Sequence, residues 1–183
     1  MLVHANGFAI KRGTAEYVHV ELDVRGGLPG FSVIGLAGSA ARDARERVQA
    51  AVLNSGFAFP RRRLTANLTP AVASAGGPAF DLALACCVLA VQDQVDPGRL
   101  VRVGLFAELG LGGDLRPLES AAAAADVAQA VGLATLIVAP ANVAEARMAG
   151  PLDALGRDHL RDVAALLCGR ADRCAENPCA PVS

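Results

Sequence analysis

A strand, a glycine-rich loop and a wholly apolar helix follow one another between residues 54 and 90, and the rest of the chain has to fold around them. Side chains alternate along a strand, so the segment Leu64 to Leu68 is typical of a half-buried strand, which Thr69-Pro70 is expected to end. Asp81 then opens an apolar run from Leu82 to Val91 that is long enough for a buried helix. This order predicts a central helix preceded by a loop of the kind in which many folds place their chemistry.

The loop itself lacks the groups that catalysis would require. It contains Gly76-Gly77, but no Gly-Lys pair occurs anywhere in the sequence, so it is not a Walker loop for nucleotide phosphates. Ser74 is its only hydroxyl, and a serine nucleophile needs a base within hydrogen-bond reach. The single lysine, Lys11, belongs to a predicted first strand. A tight turn that feeds a buried helix is therefore the favoured interpretation.

The bulk composition indicates a globular protein without a membrane segment. The net charge is −1, so no overall field attracts the chain to nucleic acid or to a membrane surface. No apolar run reaches the roughly 18 residues that cross a bilayer, and the first residues do not resemble a signal peptide, so we expect a cytoplasmic protein. There are five cysteines, an odd number, and the adjacent pair Cys86-Cys87 is predicted to be reduced and part of the core.

The other elements predict an α+β fold, an α/β sandwich with a mixed sheet. Tyr17 to Val24 alternates as a strand, and Phe31 to Leu36 is expected to pair with it as a hairpin. Ser39 is the predicted N-cap of a helix to Leu53. That helix has a predicted buried stripe of Ala44, Val48, Ala51 and Val52. Further strands are expected at Leu2–Ile10, Val103–Leu109, Leu115–Leu118 and Leu133–Val138, and further helices at Ser120–Val131, Pro140–Met148 and Asp158–Leu167.

A group of arginines forms the candidate nucleic-acid site. Its members are Arg61, Arg62 and Arg63 at the entrance to the strand, and Arg42, Arg45 and Arg47 on the preceding helix. If both sets face one side, they could hold phosphates. Asp43 and Glu46 are interleaved on the helix, and no aromatic residue accompanies the group, which favours an ordinary solvated surface. Both interpretations stay open.

A second group, near the end of the chain, contains the types of residue that bind zinc. It comprises His159, Cys168, Cys174 and Cys179. Their spacing includes no CxxC pair, and Cys168 belongs to an apolar helical face. Metal binding is therefore not favoured, and no metal is predicted.

Several segments, taken in order, resemble one family. The matching segments are Leu22-Asp23-Val24, Gly27-Leu28-Pro29-Gly30-Phe31, Val33-Ile34-Gly35-Leu36, Arg42 to Val48, Asn54-Ser55-Gly56-Phe57, Asn67-Leu68-Thr69-Pro70-Ala71, Pro78-Ala79-Phe80-Asp81-Leu82, Glu108-Leu109-Gly110 and Gly113-Asp114-Leu115-Arg116. Together they resemble the N-terminal domain of the ComM/YifB proteins, which are magnesium-chelatase-like AAA+ proteins. The likeness covers roughly residues 1–168.

The resemblance implies a fold similar to the Lon peptidase domain and to the second domain of a small-subunit ribosomal protein. Lon carries its nucleophilic serine in a Gly-Pro-Ser loop, and the matching position here is Ala79. The position of Lon's lysine falls near Ala122. With alanine at both positions, the resemblance implies a peptidase-like shape without peptidase activity, and no catalytic residue is predicted.

The resemblance also implies partners. Full-length relatives continue into an ATPase module and are understood as hexameric helicases that promote branch migration of DNA during natural transformation. We therefore expect residues 1–168 to form the accessory domain and residues 169–183 to form a tail or linker toward an absent AAA+ module. ATP and Mg²⁺ are implied only for that module. The family's usual Asp, Lys and Glu are replaced here by Val72, Ala75 and Gly76, which puts any role of those charges in doubt.

Three functions follow, in order of preference. The first is a non-catalytic accessory domain of a ComM-like AAA+ protein, which serves assembly of a homo-oligomer or guides DNA to the motor. The second is a stand-alone nucleic-acid-binding module that uses Arg61–Arg63 and the Arg42/Arg45 helix face. The third, a residual Lon-type serine peptidase using Ser74, is the least favoured.

Overall fold

A computed structural model describes residues 1–36, 38–72 and 78–168. The strands are β1 (Leu2–Lys11), β2 (Thr14–Arg25), β3 (Gly30–Leu36), β4 (Arg63–Val72), β5 (Val103–Phe106), β6 (Glu108–Leu109), β7 (Leu115–Arg116), β8 (Thr135–Val138) and β9 (Asp153–Gly156). The helices are α1 (Ser39–Asn54), α2 (Asp81–Ala90), α3 (Pro97–Leu100), α4 (Ala121–Ala130), α5 (Val143–Arg147) and α6 (Leu160–Leu167). Short 3₁₀ turns lie at Pro78–Phe80 and Pro140–Asn142. The predicted α+β class is confirmed.

The main sheet has seven strands in the order β3-β4-β2-β1-β5-β8-β9, and β6 and β7 form a separate hairpin. On one side of β1, β2 pairs antiparallel with β1 and β4 pairs antiparallel with β2. Strand β3 then pairs with β4 in parallel. On the other side β5, β8 and β9 are all parallel. The mixed sheet is therefore an antiparallel half and a parallel half that meet between β1 and β5.

The two faces of the sheet have separate cores. On one face α1, α2 and α6 pack on residues such as Val20, Leu22 and Leu64. On the other face the apolar side of α4 packs with Phe8, Phe106 and neighbouring residues. Along β1 the residues that point to this second face change from apolar Phe8 to polar Asn6 and His4, so its covered part ends there.

Helix α2 is the centre of the larger core. Every one of its ten residues is buried, which agrees with the apolar run that the sequence shows. Cys86 and Cys87 lie fully inside, and burial raises the pKa of the Cys86 thiol to about 12. Their predicted place in the core is confirmed. The predicted buried stripe of α1 is confirmed too, since its buried residues are Ala44, Val48, Ala51 and Val52.

The predicted hairpin between β2 and β3 is wrong. Strand β4 lies between them, with Leu22 opposite Ala66 on the β2 side and Val33 opposite Ala66 on the β3 side. The physical reason is the helical crossover: the chain leaves β3, runs through α1 and returns as β4, and such a connection places two parallel strands side by side. The glycine turn after Arg25 is therefore a link to a non-adjacent strand.

The predicted end of β4 at Thr69-Pro70 is also wrong, because the strand continues to Val72. The last pair with β2 is Thr69 opposite His19, so Pro70 lies just beyond that ladder. Its pairing with β3 is irregular at the same point. A missing backbone N–H therefore removes no hydrogen bond from the β2–β4 ladder, and proline is tolerated there.

Smaller differences concern element ends. Gly38, and not Ser39, is the N-cap of α1. Ser120 occupies the N-cap position of α4, but its hydroxyl donates to the Gly13 carbonyl (2.8 Å) and makes no capping hydrogen bond to the helix. The predicted strand over residues 103–109 is divided into β5 and β6. Strand β9 and helix α3 were not predicted. The predicted linker from Gly169 lies outside the described residues, and none of the described helices is both long and apolar enough to span a bilayer.

Candidate nucleic-acid interface

The three consecutive arginines lie at the start of β4 and are exposed. Helix α1 ends at Asn54, and Gly56, with φ of +84°, turns the chain toward Pro60. The carbonyl of Arg62 accepts a hydrogen bond from the N–H of Gly30 (3.2 Å), and Arg63 is the first residue of the strand. The start of β3 thus fixes the backbone of this run while its side chains face water.

A fourth arginine, Arg25 of β2, lies next to this run of three arginines in the sheet. Arg63 lies directly opposite Arg25 of β2. Like charges in that position repel each other, and Arg25 is compensated by Asp23, with 2.5 Å between Nε and Oδ2. Among the described ion pairs, none involves Arg61, Arg62 or Arg63. The run therefore keeps its positive charge uncompensated although the chain as a whole has a net charge of −1.

The arginines predicted on α1 behave differently from one another. Arg45 is half-buried, and its Nη1 donates to the carbonyl of Phe31 at 3.0 Å. Phe31 pairs with Leu64, the residue after Arg63, so Arg45 reaches the same end of β3 and β4 as the arginine run. Its guanidinium holds helix to sheet and is only partly available to a ligand.

Arg42 is exposed and forms an ion pair with its neighbour Asp43 at 3.7 Å. In the part of the chain that is described, no hydrogen bond or ion pair links it to the other arginines of the candidate set. The structure therefore brings Arg45 to the run at the start of β4 but gives Arg42 no such connection.

Arg47, the remaining member of the sequence group, faces the interior. Its Nε donates to Oδ2 of Asp81 at 2.6 Å, and the Asp81 side chain is fully buried at the start of α2. Burial raises the pKa of this carboxyl to about 6, while the hydrogen bond and charge of Arg47 lower it. Arg47 had been grouped with the arginines that were expected to hold phosphates. The sequence did contain a signal for this. Asp81 is the first residue of the wholly apolar α2, and a buried carboxylate requires a cationic partner nearby.

The glycine-rich loop is described only at its end. Residues 73–77, including Ser74 and Gly76-Gly77, lie outside the described residues, so the peptidase hypothesis for Ser74 stays a prediction. Ala79 is fully buried in the smaller core cluster, which also contains Ala121, the neighbour of Ala122. The two positions matched to Lon's nucleophile and lysine thus carry methyl groups in or next to one apolar cluster.

The histidine of the second candidate group has a local structural role. His159 is the N-cap of α6: its Nδ1 accepts from the N–H of Arg161 (3.1 Å), and its Nε2 lies 3.0 Å from the carbonyl of Gly112. Cys168 follows the end of the same helix, and Cys174 and Cys179 lie outside the described residues. Both ring nitrogens of His159 already have backbone partners.

A different polar cluster was missed entirely. His4, His19 and Glu21 project from β1 and β2, with their nitrogen and oxygen atoms within 4.8 Å of one another. The alternation of Tyr17 to Val24 places His19 and Glu21 on one face of β2, but His4 lies on a different strand. The alternation of both strands, with β1 and β2 read as a hairpin, would have placed these residues together.

Comparison with known proteins gives the context of this domain. A family profile described as "Subunit ChlI of Mg-chelatase" matches residues 20–142. This span covers most of the described domain. The chain belongs to the magnesium-chelatase-like ComM/YifB family.

Individual relatives agree with this membership. YifB of Salmonella typhimurium is 35% identical over 153 residues, which cover 84% of this chain and 30% of the relative. The competence protein ComM of Haemophilus influenzae is 35% identical over 156 residues, 85% of this chain and 30% of ComM. A Mycobacterium tuberculosis protein is 36% identical over 155 residues, 85% of this chain and 31% of that relative. The chain thus spans about a third of the length of these ComM/YifB relatives.

Proposed function

We propose that this domain is a non-catalytic accessory domain of a ComM-like AAA+ protein and that it contacts the DNA backbone through the edge formed by Arg61, Arg62 and Arg63. The observation that carries the DNA contact is the exposed arginine run, which has no acidic partner among the described ion pairs. Phosphate contacts of this kind position a protein on nucleic acid without reading its sequence.

The accessory role is supported by two independent features. The name of the Haemophilus influenzae relative assigns it to competence, and this chain matches only 30% of its length. The positions that the resemblance matches to Lon's nucleophile and lysine, Ala79 and Ala122, are both alanine. We propose that chemistry belongs to another part of the protein, an AAA+ module, and that the domain itself turns over neither ATP nor peptides.

The first test measures DNA binding by the chain and by a variant in which all three arginines are changed to glutamine. A matched control changes three exposed arginines elsewhere, Arg12, Arg102 and Arg161, so that both variants lose the same charge. We expect the first variant to bind a labelled duplex more weakly and the control to bind nearly as the parent does. Fluorescence anisotropy at several salt concentrations provides the measurement.

The salt dependence makes this test specific. The slope of log K against log salt is negative, and each lost phosphate contact makes it less steep by about 0.9. Three lost contacts should therefore reduce its magnitude by about 2.7. Equal slopes for the two variants would contradict a phosphate-binding role for the run. An assay of ATP and peptide hydrolysis by the same purified chain should give no turnover, and measurable turnover would overturn the accessory role.

The second candidate function is an independent nucleic-acid-binding module. The same exposed arginine run supports it, so DNA binding alone does not separate the two. The discriminating observation is the coding sequence that follows residue 183. A Gly-Lys-Ser/Thr loop there, in frame or in the next gene, would support the accessory role, and its absence would support an independent module.

A further inference from the structure

The cluster of His4, His19 and Glu21 has the composition and the geometry of a metal site. His4 lies directly opposite Glu21 in the antiparallel β1–β2 pair, and His19 is two residues before Glu21. Residues two apart on a strand share a face, so all three side chains rise from the same side of the sheet. His19 lies opposite Asn6, where the covered part of that face ends, and His4 and Glu21 lie beyond it.

The distances between the candidate donor atoms fit a small divalent ion. Nδ1 of His4 is 3.2 Å from Nε2 of His19, and the two nitrogens are 3.8 and 3.9 Å from Oε1 of Glu21. Bonds of about 2.0–2.2 Å in a tetrahedral arrangement place donor atoms about 3.3–3.6 Å apart. The cluster therefore needs only a small side-chain rotation to close around an ion.

The neighbours of His19 leave its Nε2 as the donor toward such an ion. The amide of Asn6 donates to the carbonyls of Val101 and Val103, both at 3.0 Å, which turns its Oδ1 toward Tyr17. The Tyr17 hydroxyl donates its one proton to that oxygen (2.7 Å), so its own oxygen accepts from Nδ1 of His19, 3.4 Å away. With the ring proton on Nδ1, the lone pair of Nε2 points into the cluster.

The carboxylate is held in the same manner. Oε2 of Glu21 accepts a hydrogen bond from the Asn67 amide at 3.0 Å, which leaves Oε1 facing the two imidazoles. Partners that hold the second atom of a ligand, as Tyr17 does for His19 and Asn67 for Glu21, are characteristic of metal sites. The side chains of His4, His19 and Glu21 are 37%, 37% and 32% exposed, so an ion there would be open to water on one side.

We propose that His4, His19 and Glu21 bind a late first-row divalent cation, with Zn²⁺ as the probe ion, through three protein ligands and one position open to solvent. Two imidazoles and one carboxylate suit zinc and its neighbours better than Mg²⁺ or Ca²⁺, which prefer oxygen ligands alone. Nδ1 of His4 gives up its proton on binding, and Nε2 of that ring takes one instead. The proposal is independent of DNA binding.

The test is a titration of the full chain with Zn²⁺, followed by calorimetry and by NMR of the imidazole signals. The background carries Cys168, Cys174 and Cys179 changed to serine, which removes the other soft ligands near the chain end. We expect one Zn²⁺ per chain, and the signals of His4 and His19 should shift while those of His159 do not. Because the NMR readout needs no change in the cluster, it stays valid even if a cluster variant folds poorly.

Variants then assign the ligands. His19→Gln or Glu21→Gln should weaken Zn²⁺ binding more than the ~10–100-fold that loss of an outer partner costs, and Tyr17→Phe should weaken it within that range. His159→Gln is the matched control and should bind as the background does. No Zn²⁺ binding, binding unchanged in His19→Gln, or shifts confined to His159 would each overturn the proposal.

Discussion

Asp81 is a carboxyl group with no exposure to water, held by a single arginine that is itself only partly buried. Its Oδ1 has no hydrogen-bond partner among the described residues. A half-satisfied buried carboxylate costs free energy, so this residue is a weak point in stability as well as the link between α1 and α2. Its contribution to the free energy of unfolding depends on pH.

Stability should fall as Asp81 ionises. Its pKa rises from about 3.8 to about 6 on folding, so the folded state holds the proton more tightly than the unfolded state. This contribution is complete below pH ~4 and is lost as the pH rises through ~6, on the order of 3 kcal/mol in all. Asp81→Asn cannot ionise, and its free energy of unfolding should decline less over this range.

Urea unfolding of the parent and of Asp81→Asn at several pH values between about 4 and 7 measures the difference. Asp126→Asn, at an exposed position of α4, is the control and should follow the parent. If the profiles of the parent and Asp81→Asn ran parallel, the buried carboxyl would not be the source of the pH dependence.

At the scale of elements, the sequence predicted what depends on local periodicity. The buried stripe of α1 and the buried α2 follow from side-chain spacing alone. The identity of a strand's partners does not follow from spacing. Nothing in the turn after Arg25 indicates that β4, which comes after a whole helix, would take the place next to β2. The grouping of the arginines at the start of β4 with Arg42 and Arg45 as a binding site stays a prediction. The inward direction of Arg47 depends on the packing of α1 against α2, which periodicity does not reveal, and it was missed.

The pairing of β3 with β4 depends on one glycine. Gly35 has φ of +91°, and a Cβ atom there would lie 2.5 Å from the Leu68 carbonyl oxygen, at the irregular point of the β3–β4 register. Gly35→Ala should therefore destabilise the protein by roughly 2 kcal/mol or more, through backbone strain and a clash with main-chain atoms.

Gly26→Ala is the matched control, because a Cβ at Gly26 would meet nothing within 4 Å. It should change the free energy of unfolding by less than ~1 kcal/mol. Chemical denaturation followed by circular dichroism gives both values. Equal effects of the two substitutions would show that the register does not require a glycine at residue 35.

At the scale of the whole molecule, α6 closes the larger core. Its residues Leu160, Val163 and Leu167 are buried, and the carbonyl of Leu167 accepts from the N–H of Asp96 at 3.0 Å. The domain should therefore be complete at residue 168. A chain of residues 1–168 is expected to unfold cooperatively, with a midpoint within a few degrees of that of the full chain.

A shorter chain, residues 1–158, is the control and lacks α6. Loss of burial for its large apolar residues, at about 1.5–3 kcal/mol each, should leave it largely unfolded. Thermal unfolding of the three chains measures the comparison. A markedly lower midpoint for residues 1–168 than for the full chain would mean that the domain boundary lies further along.

The antiparallel and parallel halves of the sheet touch along a short junction, where β1 and β5 share the single described pair Asn6–Gly104. Asn6 reinforces this junction. Its amide nitrogen donates to the carbonyls of Val101 and Val103, and its oxygen accepts from the Tyr17 hydroxyl. One amide thus joins the two halves of the sheet and, through Tyr17, sets the orientation of the His19 imidazole on its own, antiparallel half. A change that separates the two halves would therefore turn the His19 ring, even with every residue of the His4, His19 and Glu21 cluster left unsubstituted.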